Sequence, residues 1–147
     1  MTPSLGPLVQ SFFTDYLPLQ KGLRQGSIRS YRDTMRLFLC FVSEQRGGSI
    51  ASLTIEDLSF ERVLAFLKYL EQRRGNSIRT RNQRRAALNT FYSYLALRVP
   101  EMLAACQQIA AIPVKRTSPT TVLHALLDGD DITAIRRHPK QEYVRVS

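Results

Sequence analysis

Ser77-Ile-Arg-Thr-Arg-Asn-Gln-Arg-Arg-Ala-Ala-Leu-Asn-Thr-Phe-Tyr-Ser-Tyr-Leu-Ala-Leu97 is the stretch that decides the fold. In its C-terminal half Leu88, Phe91, Tyr92 and Leu95 recur at steps of three and four, the apolar stripe of a helix laid on a core. Ser77 supplies a hydroxyl able to cap the first turn. Carried back toward the N-terminus by one and two turns, the same stripe meets Arg85, Arg84 and Arg81. These turns are therefore expected to protrude from the body, with Arg79, Thr80, Arg81, Asn82, Gln83, Arg84 and Arg85 displayed around the rod.

The charge map adds weight to that expectation. Between Arg73 and Arg85 there are six arginines and no acidic residue, and Lys21, Arg24, Arg29, Arg32 and Arg36 are opposed only by Asp33. Together these two segments account for the formal net charge of +9, the remainder being close to neutral. A solvated surface intersperses both signs, and a membrane-surface helix pairs its basic face with a long apolar one. Arg73–Arg85 does neither, since Ile78 is its one large apolar side chain. Cations in the first turns of a helix also oppose the macrodipole, so their repetition points to a polyanionic partner. Arg, Thr, Asn and Gln are the residues that hold phosphates and read base edges when a helix enters a major groove. If about six of these cations meet phosphates, the slope of log affinity against log salt is near −5 on duplex DNA.

The 147 residues, 44% of them hydrophobic, suffice for one ordinary domain, or one domain and part of another. No apolar run approaches the ~20 residues of a membrane span, and Met1-Thr2-Pro3-Ser4 lacks the start of a signal peptide. A cytoplasmic protein with no membrane partner is expected. Cys40 and Cys106 have no metal-type spacing and read as buried thiols of a reducing compartment. Neither a metal-ligand cluster nor a Gly-rich phosphate loop is evident, so no cofactor and no small-molecule substrate are expected.

Outward from the deciding stretch, the periodicity is helical throughout. Val9, Phe12, Phe13 and Tyr16 share a face of a first helix that Gly6-Pro7 can start and Pro18 can stop. Ser27 is placed to cap a second, with Ile28, Tyr31, Met35, Phe38 and Val42 inward and Arg29, Arg32 and Arg36 on another face. Gly47-Gly48 ends it. Thr54-Ile-Glu-Asp57 reads as a capped turn before a third helix with Phe60, Val63, Leu64, Leu67 and Leu70 inward, which Gly75-Asn76 closes. Pro100 opens a fifth helix, from about Glu101 to Ala111. With strand-like alternation nearly absent, the expected fold is all-α, a four- to five-helix bundle.

The elements and their residues resemble the N-terminal core-binding domain of tyrosine recombinases, the phage-integrase family. The matching text is Ser27-Ile-Arg-Ser-Tyr31 with Phe38 and Phe41, then Phe66-Leu-Lys-Tyr-Leu70. It continues with Arg74-Gly-Asn-Ser-Ile-Arg-Thr-Arg-Asn82 and Leu88-Asn-Thr-Phe-Tyr-Ser-Tyr-Leu95, and Ala111-Ile-Pro-Val-Lys-Arg116 is similar to the linker toward the catalytic domain. The resemblance implies a SAM-like bundle forming half of a clamp around double-stranded DNA, with the second and fourth helices against the duplex. By position it implies DNA-facing Ser27, Arg29, Ser30 and Arg32 on the second helix. On the fourth it implies Ser77, Arg79, Thr80, Arg81, Asn82, Arg84 and Arg85, followed by Lys115 and Arg116 on the linker. Other recombinase protomers on DNA are the implied protein partners.

The expected division is a helical DNA-binding domain over 1–112, a linker over 113–122, and over 123–147 the truncated start of a catalytic domain with a polar tail. Leu123-His-Ala-Leu-Leu-Asp-Gly-Asp-Asp-Ile132 resembles only the opening of that catalytic domain, so no catalytic residue is expected. Tyr143 lies in the polar tail without the histidine and arginine segment that a nucleophilic tyrosine of the family requires, and His124 reads as a junction residue. The tail from Arg137 departs from the family pattern, which suggests a shortened or frameshifted gene. The competing reading is a basic helical protein-interaction module or inhibitor that pairs with an intact recombinase and blocks its site. Its basis is the apolar content of the fifth helix and of Val122–Leu127.

Overall fold

The computed structural model describes residues 4–116. The expectations for Val122–Leu127, His124, Tyr143 and the segment 123–147 lie outside the described residues. Two compact units divide after Val114, and the helices among the described residues belong to the first.

Helix α1 (Leu5–Ser11) runs directly into a wider π-helical stretch, Phe12–Gln20. Helix α2 spans Gln25–Arg46, α3 Phe60–Gln72, α4 Ile78–Arg98 and α5 Leu103–Ala110. Short 3-10 turns at Ile50–Ser52, Ile55–Asp57 and Pro100–Met102 connect them, and no strand occurs among the described residues. The fold is the expected all-α bundle.

Local chemistry explains most of the boundaries. Gly47 and Gly75 take φ of 83° and 66°, a region that costs glycine little. At the second of these, the turn lets the Asn76 N–H reach back to the Leu70 carbonyl at 2.9 Å. Thr54 and Asp57 make the expected capped turn, with the Thr54 N–H donating to Asp57 Oδ2 at 2.8 Å. Ser59 caps α3 and Ser77 caps α4 by accepting from the N–H groups of Arg62 and Thr80.

Three local expectations differ. Ser27 lies inside the first turn of α2 rather than at its cap, because the extended residue before the helix is Arg24. Pro18 does not stop the first helix but sits within the π-helical stretch, where the wider winding carries the chain past a residue that lacks an N–H. In α3 the inward face holds Phe66 and leaves Leu64 exposed, because the helix turns Val63, Phe66, Leu67 and Leu70 onto the core.

That core is largely aromatic. The Phe12 ring meets the Phe91 ring edge-on at 5.1 Å, and Phe38 meets Phe66 at 5.2 Å. Such pairs add about 0.5–1.5 kcal/mol beyond burial alone. From α4 come Leu88, Phe91, Tyr92 and Leu95, all fully buried as their spacing requires. The Tyr92 hydroxyl, enclosed with its ring, donates to the Leu58 carbonyl at 3.0 Å. Cys40 and Cys106 are half-buried free thiols.

Candidate nucleic-acid interface

The N-terminal halves of α2 and α4 carry most of the two basic segments, and a hydrogen bond joins them. Arg84 Nη1 donates to the Thr34 hydroxyl at 3.2 Å. Thr34 is buried and donates in turn to the Ser30 carbonyl at 3.3 Å. Burial lowers the Arg84 pKa, Asp33 opposes that change and Arg74 adds to it. A guanidinium remains protonated under such shifts, so the contact brings a fixed positive charge onto α2.

On α2 Ser27, Arg29, Ser30 and Arg32 are all exposed. The Arg32 guanidinium stands 5.7 Å from the Phe13 ring centroid, within range of a cation–π attraction that limits where the charge can wander. Arg29 and Arg32 border a shallow depression floored by Phe13, Pro18 and Ile28. Arg36 is exposed and 3.3 Å from Asp33, a surface pair of the kind that contributes little to stability.

The residues of α4 divide into two groups. Ser77 and Arg79 are exposed, while Thr80 and Asn82 are half-buried. Ser77 Oγ accepts from the Thr80 N–H and donates to Thr80 Oγ1, both at 3.1 Å. Arg81 is only 6% exposed. Its Nη1 donates to Asn82 Oδ1 at 3.0 Å and to the Pro113 carbonyl at 2.9 Å. Arg85 donates from Nε to the Ile112 carbonyl at 2.6 Å and from Nη2 to the Ala110 carbonyl at 3.1 Å.

The expectation that this end of α4 protrudes is therefore corrected. The inward stripe does continue into Arg85, Arg84 and Arg81, but its chemistry changes from apolar packing to hydrogen bonding. The last carbonyls of α5 have no partner within their own helix and form the negative end of its dipole. Arg85 reaches one of them, at Ala110, and Arg85 and Arg81 hold the carbonyls of Ile112 and Pro113 just beyond the helix end. Burial lowers the Arg81 pKa, with Glu71 opposing and Arg85 adding to the effect. The Nε atoms of Arg81 and Arg84 are buried without a hydrogen bond, so both side chains are held at some desolvation cost.

Lys115 and Arg116 fall after Val114, in the second unit. Sequence reasoning missed Thr34, although its place three residues after Tyr31 on the inward side of α2 was a usable signal. The carbonyl acceptors at Ala110, Ile112 and Pro113 had no side-chain signal at all.

The phage integrase N-terminal SAM-like domain model matches residues 11–98, which include both basic segments. The chain belongs to that family. Over 119 residues this SAM-like domain protein is 40% identical to the candidate integrase/recombinase y4rC of Sinorhizobium fredii, covering 81% of this chain and 36% of the relative. A second candidate integrase/recombinase of the same organism, y4rD, is 36% identical over 112 residues, covering 76% of this chain and 40% of the relative. The tyrosine recombinase XerC of Herpetosiphon aurantiacus is 34% identical over 83 residues, covering 56% of this chain and 25% of the relative. The SAM-like chain thus spans well under half the length of these relatives. No solved structure matches it. Among its described residues, no helix is long and apolar enough to cross a membrane.

Proposed function

We propose that this chain is the DNA-binding module of a tyrosine recombinase or integrase, and that it grips duplex DNA through α2 and α4 without performing a catalytic step of its own. In this reading 1–112 is the module, 113–122 the linker and 123–147 the opening of a catalytic domain, and the protein works in the cytoplasm on the DNA of a mobile element. The observation that carries the reading is the exposed set Arg29, Arg32 and Arg79, on two helices locked together at Thr34 and Arg84. Ser27, Ser30, Ser77, Thr80 and Asn82 flank those cations as further phosphate or base contacts, and Lys115 and Arg116 are the linker cations of the same reading. Arg81, Arg84 and Arg85 contribute positive potential while their hydrogen bonds are spent on the bundle.

Pairing with another recombinase protomer is a compatible second role, favoured by Leu97 and Leu103, which are 73% and 52% exposed. Fluorescence anisotropy of a labelled random-sequence duplex, with a denaturing gel for strand breaks, tests the main reading. Binding at low salt with intact strands is the expected result. No binding at low salt would overturn it.

A further inference from the structure

The two arginines that close onto the end of α5 are placed to do more than fill a gap. Arg81 and Arg85 stand one turn apart on α4, and between them they hold the carbonyls of Ala110, Ile112 and Pro113. Those three acceptors are the last turn of α5 and the residues through which the chain leaves this unit at Val114. The backbone there has few other ties. The Ala111 N–H is shared between the Gln107 and Gln108 carbonyls at 3.2 Å each, and the Ile112 N–H reaches the Ile109 carbonyl at 3.1 Å. Ile109 and Ile112 are buried, whereas Ala110, Ala111 and Pro113 are exposed. The exit segment is thus anchored by two apolar side chains and by charged donors from α4.

Arg79 lies two residues before Arg81 and is exposed. The same two turns of α4 therefore present one cation outward and two cations to the exit segment. If α4 shifts as one body when its outer side is occupied, the groups on its inner side shift with it.

We propose that Arg81 and Arg85 are positioning residues that form a latch on Ala110–Pro113, coupling occupancy of the outer face of α4 to the conformation in which the chain leaves the bundle. The coupling rests on the DNA-binding reading above; the latch itself does not. In this account Arg85 is not a phosphate contact, and its worth lies in the fork geometry that serves two carbonyls at once. Lysine keeps the charge but offers a single compact donor group, so Arg85→Lys separates the two roles.

The test is amide hydrogen exchange on the full chain, with and without a saturating random-sequence duplex, for the wild type, Arg85→Lys and Arg81→Lys. Without DNA, each Lys variant is expected to speed exchange at Ala111 and Ile112 by roughly tenfold, the factor for loss of about 1.4 kcal/mol. Amides of Leu88–Leu95 and of α3 should keep wild-type rates, which shows that the bundle is still folded. With DNA, the wild type is expected to gain protection at Ala111 and Ile112, and Arg85→Lys to bind the duplex with an unchanged salt slope yet gain none.

Wild-type exchange at these amides in both Lys variants would overturn the latch. So would a fall of about one unit in the salt slope of Arg85→Gln, which removes the charge, since that would make Arg85 a DNA contact. DNA bound by the wild type without added protection would overturn the coupling. If the wild type binds no duplex, the functional reading fails, and the comparison without DNA still decides the latch. Should one variant lose protection throughout the bundle, the other, which touches a different carbonyl, carries the same comparison.

Discussion

Arg84 on α4 donates to the hydroxyl of Thr34 on α2 at 3.2 Å, and through this contact the two basic segments become parts of one surface. Neither residue is apolar, yet Thr34 is 2% exposed and the Arg84 Nε is buried. The pair stands where a core would ordinarily place two hydrophobic side chains.

Thr34→Val removes the acceptor while keeping the shape, and leaves a partly buried guanidinium short of a partner. A loss of about 1–3 kcal/mol is expected, read as a lower midpoint in thermal unfolding by circular dichroism. An unchanged midpoint would mean that the contact is incidental.

Ser77→Ala should cost about 1 kcal/mol through loss of the α4 cap. Because the Ser77 hydroxyl is engaged with Thr80 on both its donor and acceptor sides, the substitution is expected to lower stability more than it alters DNA affinity. Parallel urea denaturation and anisotropy measurements compare the two.

Tyr92 gives the fold a defined alkaline limit. Burial raises its pKa well above the ordinary phenol value, which is about 10. The folded state therefore favours the neutral phenol. The stabilisation is fully present below about pH 10 and is lost as pH rises toward the folded-state pKa. Tyr92→Phe should lower stability at neutral pH by about 1 kcal/mol, the worth of its hydrogen bond to Leu58. It should also flatten the alkaline decline, followed as unfolding midpoint against pH from 8 to 11.

Asp57 works in the opposite direction. Its pKa is lowered, first by the backbone N–H of Thr54 and further by the Thr54 hydroxyl, Arg46 and Arg62, against the opposing effect of burial. The folded state favours the carboxylate, so its contribution is present above the ordinary carboxylate pKa and is lost as pH falls through the lowered one. Asp57→Asn should reduce stability at neutral pH and leave a shallower acid limb below about pH 4.

Periodicity revealed most of the bundle because apolar side chains at helical spacing have only one productive arrangement. Leu88, Phe91, Tyr92 and Leu95 are all fully buried where the pattern put them. It failed where a local rule met a tertiary alternative. Pro18 ends a helix only if the winding stays α, and here the backbone widens around it. Leu64 and Phe66 both suit an inward face, and the helix rotation that chose Phe66 is set by Phe38 and Phe41, whose rings lie 5.2 and 5.6 Å from it. At the candidate site the positions of the cations were legible, but their division was not. An arginine facing water and one facing the end of a helix have the same letter, and the carbonyls at Ala110, Ile112 and Pro113 that distinguish Arg85 and Arg81 from Arg79 belong to a backbone 25 to 32 residues away.

The central claim, a DNA-gripping surface on the exposed sides of α2 and α4, is tested most directly by a salt titration of binding to random-sequence duplex DNA, comparing the wild type with Arg29→Glu/Arg79→Glu. Both residues are exposed, so the double variant should unfold at the wild-type temperature. With Arg29, Arg32, Arg79, Lys115 and Arg116 on phosphates, the account predicts a wild-type slope of about −4.5, flattened by about two units in the variant. A variant that binds with the wild-type slope and affinity would contradict it.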